Sequence, residues 1–179
     1  MTMKLNELTI NEYSMLLEAK KSVPGGGSCL ALVLELACDL GLMSVNFTID
    51  KKGYEDVQEE VKLLGSKLKQ IKTRANEMIE LDGEAYQQVM DAFRSKDDQK
   101  IKDASLYACE VPYELYKLSF EVEGLCERLF VIANKNVVSD AKIGSDLAKA
   151  VRPGCIANIK CNINQVAEEK REKFLLLLK

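Results

Sequence analysis

Apolar residues in this chain fall into long helical registers. Val57, Val61, Leu64, Leu68, Ile71, Ala75, Met78, Ala85, Val89 and Ala92 recur at alternating steps of three and four, with one gap. That is a seam of about five heptads, and it predicts one long helix packed in a bundle. Asp82 fills the gap, so a carboxylate holds a position that the pattern turns toward the core. Ile101, Ala104, Ala108, Val111, Leu115, Leu118, Val122, Leu125, Leu129 and Ile132 form a second seam of equal regularity. Pro112 lies inside it without shifting the register, which predicts a kink and not an end. A further stripe (Leu106, Cys109, Tyr113, Tyr116, Phe120) runs round the same helix. Two stripes imply cover on two sides, one of them a candidate subunit interface.

The remaining elements follow from caps and breakers. Thr9 and Glu12 have capping-box spacing, so a first helix is expected from Thr9 to about Lys20. Ser22-Val23-Pro24 and three glycines end it. A second helix is expected from about Ser28 into Thr48, apolar almost throughout. Its Glu35 and Asp39 favour a buried core helix over a membrane span, since a charge at mid-bilayer costs ~2.5–3.5 kcal/mol. Lys51-Lys52-Gly53 and Asn134-Lys135-Asn136 read as turns, and Ser139 begins a fifth helix. Pro153-Gly154 is expected to interrupt that segment before it continues to the end of the chain. No stretch alternates as a strand does. The fold class is therefore all-α, an elongated bundle of about five long helices without a sheet, in one domain over residues 1–179.

Composition narrows the chemistry. The 25 basic and 28 acidic residues leave a net charge of −3 with no basic face, which argues against nucleic acid as a partner. Histidine is absent, which excludes histidine metal sites, Ser-His-Asp triads and Cys-His dyads. Acid–base work falls to Asp, Glu, Lys, Tyr or Cys. The six cysteines include no CxxC pair, so reduced thiols in a cytoplasmic protein are expected, without a metal site. No signal-like stretch and no basic amphipathic face point to a membrane.

Several polar features stand out within this apolar frame. The run Pro24-Gly25-Gly26-Gly27-Ser28 opens the second helix. It reads either as a tight turn with Ser28 as N-cap, or as a helix N-terminus shaped to receive an anionic or carbonyl group. Asp82 reads either as a carboxylate at the rim of the seam or as a buried acid–base group whose pKa burial would move. Tyr86 stands one turn later on the same face. Ser139 and Asp140 suit a helix start, and Asn158, Asn162 and Gln165 line one helical face, where amides suit the edge of a heterocycle or plain solvent. Lys51 and Lys52 are solvated, or serve a multiply charged anion.

In order and spacing these pieces resemble one family. Pro24 to Ser28, Phe47-Thr48 with Lys51-Lys52 and Tyr54, and Asp82-Gly-Glu-Ala85-Tyr86 form the first half. Ala108-Cys-Glu-Val-Pro112, Asn134-Lys-Asn136, Ser139-Asp140-Ala141 and Asn158-Ile-Lys-Cys-Asn162 form the second. The chain is similar over about Pro24 to Asn164 to the formiminotetrahydrofolate cyclodeaminase and methenyltetrahydrofolate cyclohydrolase family. The resemblance implies an all-helical homodimer binding a reduced folate near the glycine loop, with a tetrahydrofolate derivative as substrate and no prosthetic group. It implies Asp82 and Asp140 as catalytic carboxylates. It implies Gly25, Gly26, Gly27, Ser28, Lys51, Lys52, Tyr86, Ser139, Asn158 and Asn162 as substrate contacts. The alternative is a non-catalytic helical homodimer of the same descent, binding folate or serving as an interaction module.

Overall fold

The computed structural model describes residues 4–178. Its elements are all helical: α1 (Ile10–Glu18), α2 (Gly26–Asn46), α3 (Gln58–Ser95), α4 (Asp98–Ile132), α5 (Val138–Asn162) and α6 (Glu172–Leu175), with four short 3-10 turns. No strand occurs among the described residues. The chain divides into two compact units. Unit 1 comprises the chain up to Ala31, Asn76–Tyr116 and the chain from Pro153 onward; unit 2 comprises Leu32–Ala75 and Lys117–Arg152. The long helices α2 to α5 each give one stretch of residues to either unit.

In unit 1 the seam of α3 lies where its periodicity puts it, with Met78, Ala85 and Ala92 buried. The capping box forms, Thr9 Oγ1 accepting from the Glu12 N–H, and α1 buries Tyr13 alone. The N-terminal segment is tied to α3 by two bonds. The Asn6 N–H donates to Glu80 Oε1 (3.1 Å) and the Asn6 amide to Asn76 Oδ1 (2.9 Å).

Two expectations fail at the C-terminal end of unit 1. Pro153 does not interrupt α5, which runs unbroken from Val138 to Asn162. A proline removes one backbone bond, and the fully buried Val151, Cys155 and Ile159 on either side keep the helical register. Nor does the helix continue to the chain's end. After Asn162 the backbone turns twice through 3-10 segments. Ile163, Val166 and Phe174 fold back onto Cys109 and Ile159, with Leu106 and Tyr113 at the edge. Phe174 is fully buried and meets Tyr113 edge-on at 5.4 Å. Burying such a ring contributes about 1.5–3 kcal/mol. Leu106, Cys109 and Tyr113, the beginning of the second α4 stripe, are thus covered by the chain's own C-terminal segment.

Unit 2 has a core of Leu34, Cys38, Val45, Val61, Leu68, Val122 and Leu129, all nearly or fully buried. Backbones approach closely here. A methyl group on Gly144 would sit 2.8 Å from the Ala37 carbonyl oxygen. The two turns of the unit are joined by a polar network. Thr48 Oγ1 donates to the Ser44 carbonyl (2.7 Å) and accepts the Asn134 N–H (2.9 Å). The Asn134 amide donates to the Phe47 carbonyl (2.9 Å), its oxygen accepts the Asn136 N–H (3.1 Å), and Tyr54 Oη accepts the Lys135 N–H (3.0 Å). The stretch Gly26–Asn46 is long and apolar enough to cross a membrane by length and composition, yet half of its most apolar window is buried inside the fold.

Candidate active site

The first turn of an α-helix carries N–H groups with no partner inside the helix. In α2 this turn starts at Gly26, so Ser28 is its third residue and not the N-cap, a correction to the sequence reading. The cap comes from another helix. Asp82 of α3 accepts the Ser28 N–H at its Oδ2 (3.0 Å) and lies 3.3 Å from the Ser28 hydroxyl. That hydroxyl also donates to the Ile79 carbonyl (2.8 Å), which fixes the fully buried Ser28 to α3 one turn before the carboxylate. The negative side chain therefore rests on the positive end of the α2 dipole.

Gly27 is what allows this approach. A Cβ at position 27 would lie 1.8 Å from Asp82 Oδ1, 2.4 Å from its Cγ and 2.9 Å from Asn158 Nδ2. No side chain fits there while Asp82 and Asn158 keep their places. Two of the three consecutive glycines thus have different duties: Gly27 makes room for two side chains, and Gly26 opens the helix with its face clear.

Around this contact lies a cleft of about 340 Å³ within unit 1. Gly25, Gly26, Gly27 and Ser22 form one lip, Asp82 and Tyr86 stand on α3, and Asn158 and Asn162 project from the last turns of α5. Ala85, Val89, Ala108 and Val111 supply an apolar wall, and Cys161 completes the rim. The size and the mixture of apolar wall with a few convergent polar groups suit a small organic ligand. The Asn158 side-chain amide has no hydrogen-bond partner among the described residues, whereas Asn162 donates to the Asn158 carbonyl (3.2 Å).

Among the described residues no lysine or arginine lines the cleft, and Asp82 is the one formal charge in its lining. Burial pushes the Asp82 carboxyl above the ordinary aspartate value, and the two Ser28 donors act in the opposite sense. Neighbouring groups are held neutral. The buried Tyr13 hydroxyl is pushed up to about 12 by burial, then by Cys29 and Asp82, and burial takes the Cys155 thiol to about 12 as well. Among the described residues no three His, Cys, Asp or Glu side chains gather as metal ligands. The arrangement suits a flat, partly apolar ligand lying against a carboxylate able to hold or release a proton.

Of the residues singled out from sequence, Gly25, Gly26, Gly27, Asp82, Tyr86, Asn158 and Asn162 line this cleft, and Ser28 supports it from behind. Lys51, Lys52, Ser139 and Asp140 belong to unit 2 and are not among its lining residues. Lys51 and Lys52 are exposed in the turn after α2, and Asp140 is half-buried in the first turn of α5. Sequence reasoning missed Ser22, Ala108, Val111 and Cys161 as lining. Ala85 and Val89 were legible as the seam neighbours of Asp82; nothing in the pattern marked Cys161.

Comparison with known proteins gives one consistent picture. The family model described as formiminotransferase-cyclodeaminase matches residues 9–176. A methenyltetrahydrofolate cyclohydrolase from Methylorubrum extorquens is 29% identical, the match covering 86% of this chain and 78% of the relative. The crystal structure of formiminotetrahydrofolate cyclodeaminase from Thermotoga maritima superposes with a TM-score of 0.91 at 29% identity, covering 98% of this chain and 88% of that one.

Proposed function

The chain belongs to the formiminotransferase-cyclodeaminase family, and from that premise we propose that the unit 1 cleft binds a reduced folate and that Asp82 handles the protons of its one-carbon chemistry. The protein is a folate one-carbon enzyme, a methenyltetrahydrofolate cyclohydrolase or a formiminotetrahydrofolate cyclodeaminase. The non-catalytic reading is not favoured, since both named relatives are enzymes.

Both reactions pass through a tetrahedral carbon between two ring nitrogens and share a cationic, amidinium-like methenyl form. A carboxylate that is the single charge in a partly apolar cleft stabilises such a cation more strongly than it would in water. In the hydrolase direction Asp82 takes a proton from the water that adds to the bridging carbon. It returns a proton to the ring nitrogen as the carbon–nitrogen bond opens, leaving the formyl compound. In the deaminase direction the bridge amine outside the pterin ring adds to the formimino carbon and gives its proton to the carboxylate, and the same carboxyl then protonates the departing ammonia. A carboxyl held above its ordinary pKa is suited to both giving and taking the proton. Asn158, with its amide uncommitted, orients the heterocycle, and the apolar wall of Ala85, Val89 and Val111 receives its face.

The observation that carries this reading is the half-buried Asp82 carboxylate seated on the α2 N-terminus inside the cleft. The test follows the absorbance of methenyltetrahydrofolate with and without protein. Acceleration of its hydrolysis, or of its formation from the formimino compound, is expected and tells the two activities apart. No acceleration in either direction overturns the enzymatic reading.

A cytoplasmic homodimer accompanies this proposal. It is supported by Leu36, Met43 and Phe47, which stand exposed at helical spacing along α2 and its end, and by six free thiols. Sedimentation of the purified chain as a monomer would remove the dimer from it.

A further inference from the structure

In an α-helix the carbonyl of residue i points along the axis toward residue i+4 and accepts its N–H. Helix α4 is continuous from Asp98 to Ile132 but contains Pro112, which has no N–H to give. The carbonyl four residues earlier belongs to Ala108. That carbonyl lacks its helical donor for a chemical reason, independent of any detail of side-chain placement.

One end of this missing bond is at the site and the other just behind it. Ala108 lines the cleft. Pro112 lines a small void directly behind it, walled also by Gly27, Asp82, Val111 and Asn158, all four of which line the cleft as well. A carbonyl that starts at Ala108 and points toward Pro112 is therefore on the cleft side of α4. The other helix proline makes a useful contrast. Pro153 deprives Lys149 of its donor, but Lys149 lies in unit 2 and is not among the lining residues.

The side-chain acceptors of the cleft all sit on rotatable side chains. Asp82 is committed through Oδ2 to Ser28, which leaves Oδ1, the Asn158 and Asn162 amides offer an oxygen each, and Ser22 and Tyr86 offer hydroxyls. A reduced pterin presents several N–H groups along one edge. We propose that the Ala108 carbonyl, freed by Pro112, accepts a hydrogen bond from a ring N–H or amino group of the bound heterocycle. This makes Pro112 a positioning residue for the substrate, and the inference rests on the folate reading given above. An interrupted backbone bond facing a ligand puts a fixed acceptor in the wall with no side-chain freedom to lose on binding.

The test varies one N–H. In Pro112→Ala an amide N–H returns and closes onto the Ala108 carbonyl. In a second variant, residue 112 is the α-hydroxy analogue of alanine, whose ester linkage has the same methyl side chain and no N–H. Tetrahydrofolate binding is measured by calorimetry for wild type, both variants and Pro153→Ala, with thermal midpoints as the control for folding. Pro112→Ala is expected to fold and to bind about tenfold more weakly, the factor worth roughly one hydrogen bond. The ester variant and Pro153→Ala are expected to stay within about threefold of wild type. Equal binding by the alanine and ester variants would overturn the role of the carbonyl, whether both bind well or both bind poorly. Failure of the wild-type protein to bind tetrahydrofolate would instead remove the folate reading, and this inference with it.

Discussion

Thr48 and Asn134 in unit 2, and Asp82 and Asn158 in unit 1, are all polar residues set among apolar helical neighbours. Their hydrogen bonds set them apart. In unit 2, Thr48 gives its proton to Ser44 and receives one from Asn134, while the Asn134 side chain bridges Phe47 and Asn136. Those groups are spent on holding two turns together. In unit 1, Asp82 spends one oxygen on Ser28 and keeps the other beside Gly27, and the Asn158 amide is spent on no partner among the described residues. A buried polar group already paired contributes to stability, whereas one left open at a cleft is available to a ligand at some cost to the fold. Asparagine thus serves the fold at 134 and stands open to the cleft at 158.

The largest effect that would break this contrast lies at Asp82. Asp82→Asn keeps the acceptor for Ser28 but cannot move a proton, so turnover should fall at least about 100-fold with unchanged helical circular dichroism. Its stability follows from linkage. The folded pKa of Asp82 lies above its unfolded value, so its contribution is complete at low pH and is lost as pH rises through the folded value. At neutral pH the asparagine variant should be as stable as wild type or more so, and thermal melts at acid and neutral pH decide it. A variant with wild-type turnover would place Asp82 with the structural residues of unit 2.

Gly27→Ala comes next. The added methyl overlaps Asp82 Oδ1, so about 1–3 kcal/mol of stability and roughly tenfold or more of turnover should go together. In unit 2 the opposite separation is expected. Thr48→Val should cost about 1–3 kcal/mol in denaturant unfolding while the rate per folded molecule stays constant. The pH profile sharpens the comparison further: the acid limb of kcat/KM should sit above the ordinary aspartate value of 3.8 and be missing from the residual rate of Asp82→Asn. Tyr54→Phe should be the mildest change, about 0.5–1.5 kcal/mol of stability from its bond to Lys135 and nothing in rate.

Periodicity carried a good part of this molecule. The α3 seam located Asp82 because a carboxylate breaks an otherwise unbroken apolar row, and the glycine run located the lip because no ordinary turn needs three glycines. What stayed hidden is tertiary. That Asp82 caps α2, and that Gly27 is the glycine the contact requires, depends on two helices meeting with residues 27 and 82 face to face. Ala108 and Val111 read as core on the α4 seam, and only the fold shows one stretch of that seam opening on a cleft. Pro153 misled because a proline's local cost was set against nothing, when buried Val151 and Cys155 outweigh it. The chain beyond Asn162 misled because the docking of Phe174 has no periodic signature.

The fit of Gly27 against Asp82 also sets the order in which this sequence can drift. While position 82 carries a carboxylate, position 27 admits no side chain at all. Exchange Asp82 for a residue without a side chain of that reach, and the main obstacle to a methyl group at 27 is gone, leaving Asn158 alone to give way. Once such a methyl is in place, the carboxylate has no room to return. Loss of the Asp82 carboxylate is therefore a step that a later side chain at 27 would make hard to reverse. A lineage that abandons the chemistry would carry the record of it at two positions 55 residues apart in the chain.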